Sequence, residues 1–308
     1  MDDKTRIESV VDADYMQSVD ARLNSFDAYI DYQTQEAKRA IPFLSQFFQI
    51  ENARVLEVGA GRGGKGIAYA RQGMRVTALD VDLESLALGA RAAQTLGANV
   101  RFMAGDGEQL AFPNDLFDAV LLDSVIEHVH QPAAVLRECY RVLKPGGILF
   151  VIFPPFYGPL SGHIDDFVMI PWFHLLPRPV VKKFLLSLKR QQGILTPAIA
   201  YEVFATLNRL TIFQFRRKAR RAGFQFAYFQ VRPFLTHPGN RFAIGLVSAL
   251  RHPPRLQNLR QVFARARHEF DFGTVVLFIL LSAITPLVCV PILQEVAAGA
   301  CKAVLRKT

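Results

Sequence analysis

Glu57, Gly59, Gly61 and Gly63 stand together in "VLEVGAGRGGKG", residues 55–66, an apolar run ending in an acid and then a turn almost bare of side chains. Glycine allows positive φ and lets a backbone close on a ligand where a Cβ would clash. The helix expected from about Lys65 adds free N–H groups and the positive end of its dipole. Such a turn suits a small ligand carrying a phosphate or a carboxylate. Further acids close later β-like runs: Asp80 beside Val81 in "VTALDVD", Asp106 beside Gly107 in "MAGDGEQLAFP", and Asp123 with Ser124 in "LFDAVLLDSVIEHV". A carboxylate at 80 can accept from both hydroxyls of a ribose, and one at 106 suits an exocyclic amine. Two groups could move protons. One is Glu127-His128; the other is His163, Asp165 and Asp166 in "SGHIDDF", where Asp165 would orient His163 as a base. Each has a plainer reading. Glu57 would order the loop, Asp106 would form a turn before Gly107, His128 would pack at a helix start, and residues 163–166 would be a solvated turn.

The elements that must hold these residues read clearly up to Phe153. Two helices are expected in residues 1–50, the second with Ile41, Leu44, Phe47 and Phe48 on one face. Then strands ("ARVLEV", "RVTALD", "NVRFMAG", "FDAVLLD", "GILFVIF") alternate with helices (from Lys65, "LESLALGARAAQTLG", "PAAVLRECYRVL"), and "LKPGG" supplies a stop and turn. That rhythm predicts a parallel sheet with helices on both faces, whose ligand sits outside the carboxyl ends of the strands. Beyond 153 the rhythm breaks into "PPFYGPLSGHIDDFVMIPWFHLLPRP". These aromatics would wall an apolar acceptor or form the core of an inserted subdomain. Helix "TIFQFRRKARRAGF" and strand "FQFAYFQV" follow, and "CKAVLRK" closes the chain as a last strand.

The glycine turn alone fits a dinucleotide, since Gly64 completes that spacing, or S-adenosylmethionine. The ordered set "VLEVGAGRGGKG", "VTALDVD", "GDGEQLAFPNDLFDAVLLDSVIEHV" and "RVLKPGGILFV" resembles the class I S-adenosylmethionine-dependent methyltransferases, and within them the small-molecule group that includes quinone-pathway enzymes. The resemblance covers roughly residues 40–153, with echoes at 212–232 and 301–307. It implies a doubly wound, seven-stranded Rossmann-like α/β sheet with the last strand antiparallel. It implies S-adenosylmethionine as cofactor, with Glu57 and the three glycines at its methionine end, Asp80 at the ribose, Val81 beside it as a further cofactor contact, Asp106 and Gly107 at the adenine, and Asp123 and Ser124 beneath the sulfonium. In some quinone-pathway O-methyltransferases a stretch like "SVIEH" carries a further Glu at its start and binds a divalent metal. Ser124 stands there instead, so no metal site is expected.

Methyl transfer from a sulfonium needs alignment and exclusion of water, and a base only where the acceptor must lose a proton. His128, His163 and Asp165 are the candidates for that role. The expected segments are N-terminal helices (1–50), the cofactor-binding core (51–153), an acceptor cover (154–211), a return to the core (212–232), an apolar, basic insertion (233–300) and the final strand (301–308). The rival readings are a nicotinamide-dependent oxidoreductase and a non-catalytic scaffold that docks on membranes or partners.

Composition bears on the partner. Residues 1–150 carry 15 Lys and Arg against 21 Asp and Glu, whereas 151–308 carry 21 against 6. With 51% hydrophobic residues and 25 Phe, the basic second half suits an anionic lipid surface better than nucleic acid, for which no motif is present; an ordinary solvated basic face is the plainer reading. The uncharged run 272–294 is long enough for a span of about 20 residues. A crossing there would strand the last β-strand on the far side, and Pro286 and Pro291 interrupt the run. Burial, or monotopic association flanked by arginines at 251, 255, 260, 265 and 267, is expected instead. The charged start "MDDKTRIESV" and three cysteines without ligand spacing lead to an expected cytoplasmic location.

Overall fold

The computed structural model describes residues 17–18, 21–168, 170–189, 191–233, 287, 289–290 and 293–308. Most of the apolar run 272–294 and all of its flanking arginines lie outside these. Among the described residues no helix is long and apolar enough to cross a membrane.

Seven strands form one sheet: β1 Arg54–Val58, β2 Arg75–Asp80, β3 Val100–Ala104, β4 Phe117–Asp123, β5 Leu143–Phe153, β6 Gln225–Pro233 and β7 Ala298–Arg306. The spatial order is β3-β2-β1-β4-β5-β7-β6. The first five strands run parallel, and β7 inserts antiparallel to both β5 and β6. The chain therefore reverses direction across the sheet between β1 and β4. That is the switch point at which such sheets bind ligands.

Alternation along the central strands explains the two helical layers. Leu56, Val58, Val120, Leu122, Leu149 and Val151 pack with α4 (Pro132–Val142) and α7 (Ile212–Arg221) on one face. Val55, Ala119, Leu121, Ile148 and Phe150 point to the other face, with Ala37 and Leu44 of α1 (Phe26–Leu44) and Ala68 and Tyr69 of α2 (Gly64–Ala70). Glu57 shares its face with Val55 by this period of two, so it is driven beneath α2. Helix α3 (Leu83–Thr95) follows β2 and is capped by Asp82, which accepts from the Glu84 and Ser85 amides. Thr211 and Gln214 form a capping box at α7, a device that contributes about 1 kcal/mol.

The segment after β5 has a core of its own. Phe156, Ile164, Phe167 and Val168 pack against Val181 and Leu185 of α5 (Arg178–Ser187) and Ala200 and Phe204 of α6 (Pro197–Thr206). Phe173 packs against this cluster and Trp172 donates to the Tyr157 carbonyl at 3.1 Å. The aromatics here thus serve the subdomain's own packing.

Three boundaries differ from the sequence reading. Helix α1 stops at Leu44, because Ser45 Oγ and Gln46 Nε2 take the Pro42 carbonyl at 3.0 and 3.3 Å and compete for the acceptor of the next helical bond. Phe47 and Phe48 reach the core from beyond the helix. The expected turn at "LKPGG" is a bulge within β5, where pairing jumps from Phe117–Leu143 to Ala119–Ile148. The last strand begins at Ala298, three residues earlier than expected.

Candidate functional site

The expected cofactor residues converge at the carboxyl ends of β1, β2, β3 and β4. Glu57 is buried, and its Oε2 has no hydrogen-bond partner in the structure. Burial pushes the carboxyl up to about 8, with Lys65 opposing the shift. A Cβ on Gly66 would stand 2.6 Å from that oxygen, so the helix backbone approaches it closely.

The turn after β1 requires its glycines. Gly59 has φ +69°, and a Cβ there would lie 2.4 Å from a Val125 methyl. Gly61 has φ +52° and open space beside it. Its N–H donates to Asp80 Oδ2 at 2.6 Å, while Asp80 Oδ1 accepts from the Asp82 N–H at 2.9 Å. Asp80 thereby ties the glycine turn to β2, and each oxygen keeps a second lone pair. Val81, next to it, is 73% exposed.

Asp106 is exposed, and its Oδ1 accepts from the Glu108 N–H at 2.8 Å, which is the turn-forming role. Gly107 is buried, with a Cβ position 2.8 Å from Val58. Asp123 Oδ2 pairs with Lys65 Nζ at 2.7 Å. Burial would lower the Lys65 ammonium, yet Asp123 and Glu36 hold it above its ordinary value. Ser124 has φ +58° and donates its N–H to the Ile152 carbonyl at 2.8 Å.

Gly64, which completed the dinucleotide spacing, is committed elsewhere. Its N–H donates to Gln33 Oε1 at 3.2 Å, and its carbonyl accepts from Thr34 Oγ1 at 3.2 Å. Packing against α1 accounts for this glycine, and the amide that would greet a phosphate is occupied.

A second constellation lies between the β4 tip and the cover. Glu127 is 2% exposed and neither oxygen has a hydrogen-bond partner. His163 Nε2 stands 3.4 Å from Glu127 Oε1, and His128 Nε2 stands 3.9 Å from the same oxygen. The two rings are 5.0 Å apart between centroids. Burial pushes the Glu127 carboxyl up. Burial opposes protonation of His163, but Glu127 outweighs it and pushes the imidazole up. His128 is pushed down to about 3 by burial and by His163.

The partner of His163 is therefore Glu127, and the expected role of Asp165 is corrected. Asp165 acts on His163 only through charge, after Glu127, and Asp166 pairs with Arg22. His128 sits in the turn before α4, not at the helix start, and its Nδ1 lies 2.6 Å from Thr206 Oγ1. The cover fixes this turn through Asn208. Its Nδ2 donates to the Ile126 and Val129 carbonyls at 2.8 and 2.7 Å, and its backbone N–H donates to the Glu127 carbonyl at 2.8 Å.

Sequence reasoning missed Lys65 as the partner of Asp123, though it stands in the glycine stretch itself. It also missed Arg62, whose guanidinium lies 4.2 Å over the Phe26 ring. For Thr206 and Asn208 no local signal exists, because their role depends on where the cover folds back.

Known proteins resemble the core that carries this site. A family model described as "Methyltransferase domain" matches residues 56–151. The demethylmenaquinone methyltransferase of Renibacterium salmoninarum is 36% identical over 122 residues, covering 39% of this chain and 50% of that protein. The ubiquinone biosynthesis O-methyltransferase of Caulobacter vibrioides is 39% identical over 102 residues, covering 33% and 40%. The chain spans about half the length of these curated relatives. A solved structure from Galdieria sulphuraria, provisionally assigned as a sarcosine dimethylglycine methyltransferase, superposes with a TM-score of 0.52 at 14% identity, covering 89% of this chain and 86% of that one. This last likeness concerns the fold alone. The buried, unpartnered Glu57 oxygen and the open space at Gly61 leave a polar cradle that fits an amino-acid tail. Residues 56–151 match the methyltransferase-domain model on a sheet with the class I strand order, and the cofactor that likeness implies is S-adenosylmethionine.

Proposed function

We propose that the chain transfers a methyl group from S-adenosylmethionine to an oxygen or acidic carbon of a small apolar, quinone-like or lipid-like acceptor. One observation carries the reading: acids 57, 80 and 106 stand at or just beyond the ends of three successive parallel strands around a glycine turn with open space beside it. When bound, the cofactor supplies a methyl group already activated on a sulfonium. Glu57 would accept from its ammonium, Asp80 from its ribose hydroxyls and Asp106 from its adenine amine. Val81 offers an apolar surface for the base. Lys65 neutralises Asp123 at the site's floor, so the cofactor's positive charge meets a paired carboxylate.

The acceptor class is supported by the names of the relatives, a demethylmenaquinone methyltransferase and a ubiquinone biosynthesis O-methyltransferase. Peripheral membrane association belongs to the same proposal. Ile170, Leu175, Leu176, Val180, Phe184 and Leu186 are exposed on the cover, beside the basic residues Arg178, Lys182 and Lys183. A lipid surface with anionic headgroups fits that mixture. Flotation with anionic vesicles tests it: protein rising with the vesicles supports docking, and protein left at the bottom argues against it.

Labelled S-adenosylmethionine incubated with the protein and a total lipid extract tests the activity. Label appearing in a lipid-soluble species supports the reading. A protein that binds the cofactor yet labels nothing in lipid or polar extracts contradicts it and favours the scaffold.

A further inference from the structure

Glu127, His128 and His163 form the one cluster of acidic and imidazole groups with metal-ligand spacing found among the described residues, and their candidate ligand atoms lie within 4.8 Å of one another. The sequence pointed away from a metal because Ser124 breaks the linear stretch. The fold supplies a third donor from elsewhere, bringing His163 from the loop after β5 onto Glu127.

Hydrogen bonding fixes what these groups present. Thr206 Oγ1 donates to the Val203 carbonyl at 2.8 Å, so toward His128 it acts as an acceptor. His128 Nδ1, at 2.6 Å, is then the protonated nitrogen, and its Nε2 turns a lone pair toward Glu127. Both Glu127 oxygens are buried without a hydrogen bond, as is His163 Nε2. A carboxylate and two imidazole nitrogens thus converge in a buried place, which costs free energy unless a proton or a cation lies between them.

The spacing decides between a proton and an ion. A charge-assisted N–H···O bond closes to about 2.7–2.9 Å. The 3.4 Å between Glu127 Oε1 and His163 Nε2, and the 3.9 Å to His128 Nε2, are too long for that. Ligands about 2.0–2.2 Å from a common tetrahedral centre stand roughly 3.4 Å apart.

We infer that Glu127, His128 and His163 bind a divalent transition-metal cation through one carboxylate and two imidazoles, leaving at least one position open. The supporting shell is in place: Thr206 orients His128, and Asn208 clamps the turn that carries both Glu127 and His128. A carboxylate with two imidazoles suits Zn²⁺, Co²⁺ or Fe²⁺ better than Mg²⁺ or Ca²⁺. Taken with the proposed methyl transfer, on which this consequence alone rests, the open position would take a hydroxyl oxygen of the acceptor. The hydroxyl loses its proton to water, the oxygen attacks the methyl carbon as the C–S bond breaks, and a neutral thioether leaves.

The test uses the full chain without a histidine tag, stripped with chelator and titrated with Co²⁺. The visible d–d absorption of bound cobalt is the readout, and a parallel titration with S-adenosylmethionine reports the fold and the other site. One equivalent of cobalt giving an intense, low-symmetry spectrum is expected. His163→Ala and Glu127→Gln should each weaken binding by about 100-fold or more, and Thr206→Val by about 10-fold, all with unchanged cofactor affinity. His128→Ala provides a second ligand variant should Glu127→Gln fail to fold. Only the octahedral spectrum of free cobalt in the wild type, or an unchanged spectrum in His163→Ala, overturns the site and leaves a proton-sharing pair. Loss of cofactor binding with cobalt binding intact would count against the proposed function and not against the metal site.

Discussion

The proposed cofactor half and the proposed acceptor half of this molecule are built by different logics. In the first, each polar group stands at or just past the end of a strand in a parallel sheet, so its position follows from strand order. Glu57, Asp80 and Asp123 are placed by strand register, and Asp106 stands two residues past the end of β3. In the second, Glu127, His128 and His163 meet because the cover folds back and is tied down by Thr206 and Asn208, which lie 78 and 82 residues from the groups they hold. The first half should tolerate changes in the cover, while the second should fail when either tie is cut.

The sharpest way to break this comparison is at Asp80. Its carboxylate holds the Gly61 amide and, in the proposed complex, the ribose. Asp80→Ala should lower cofactor affinity by about 100- to 1,000-fold, counting two or three charge-assisted hydrogen bonds, as read by calorimetry. The position of the cover should not change. Glu57→Gln comes next, at about 10- to 100-fold for one such bond. It carries a pH signature. A carboxyl pushed up to about 8 is largely protonated in the free protein at neutral pH, and an ammonium ligand favours its ionised form. Binding to the wild type should therefore release a proton below pH 8 and tighten as pH rises toward 8. Calorimetry in buffers of different ionisation enthalpy should show that release in the wild type and lose it in Glu57→Gln. The same shift acts on stability. The folded state holds a proton that the unfolded chain gives up near pH 4.5, so this stabilisation is complete below that pH and is lost as pH rises toward 8. Urea melts across that window should fall less steeply for Glu57→Gln.

Asn208→Ala tests the other half. It leaves the Ile126 and Val129 carbonyls without their donor and should cost about 1–3 kcal/mol of stability. Methyl transfer should drop by at least about tenfold while cofactor affinity stays within twofold, reflecting displaced acceptor-side groups. The smallest effects belong to the turn itself. Gly61→Ala meets open space and pays only the positive-φ strain, about 1 kcal/mol, whereas Gly59→Ala also drives a methyl into Val125 and should melt at a lower temperature than Gly61→Ala.

This contrast also explains what could be read from the sequence. The strands and helices from Ala53 to Phe153 were legible because each carries its own periodicity and each ends in a turn signal, and the last strand because it is a short apolar run. The antiparallel insertion of β7 came from the family resemblance and not from any local pattern. Where side chains compete for a backbone carbonyl, as Ser45 and Gln46 do at Pro42, periodicity overran the true helix end. The choice of Asp165 as partner for His163 followed nearness in sequence. The structure pairs His163 with Glu127 instead, since a buried, unsatisfied carboxylate attracts an imidazole more strongly than a half-exposed one does.

The most direct test is a calorimetric titration of the full chain with S-adenosylmethionine, run beside Asp80→Ala and Asp106→Ala. The account predicts one site per chain in the wild type and clear weakening in both variants, larger for Asp80→Ala. No binding to the wild type, or equal affinity in all three proteins, would contradict it.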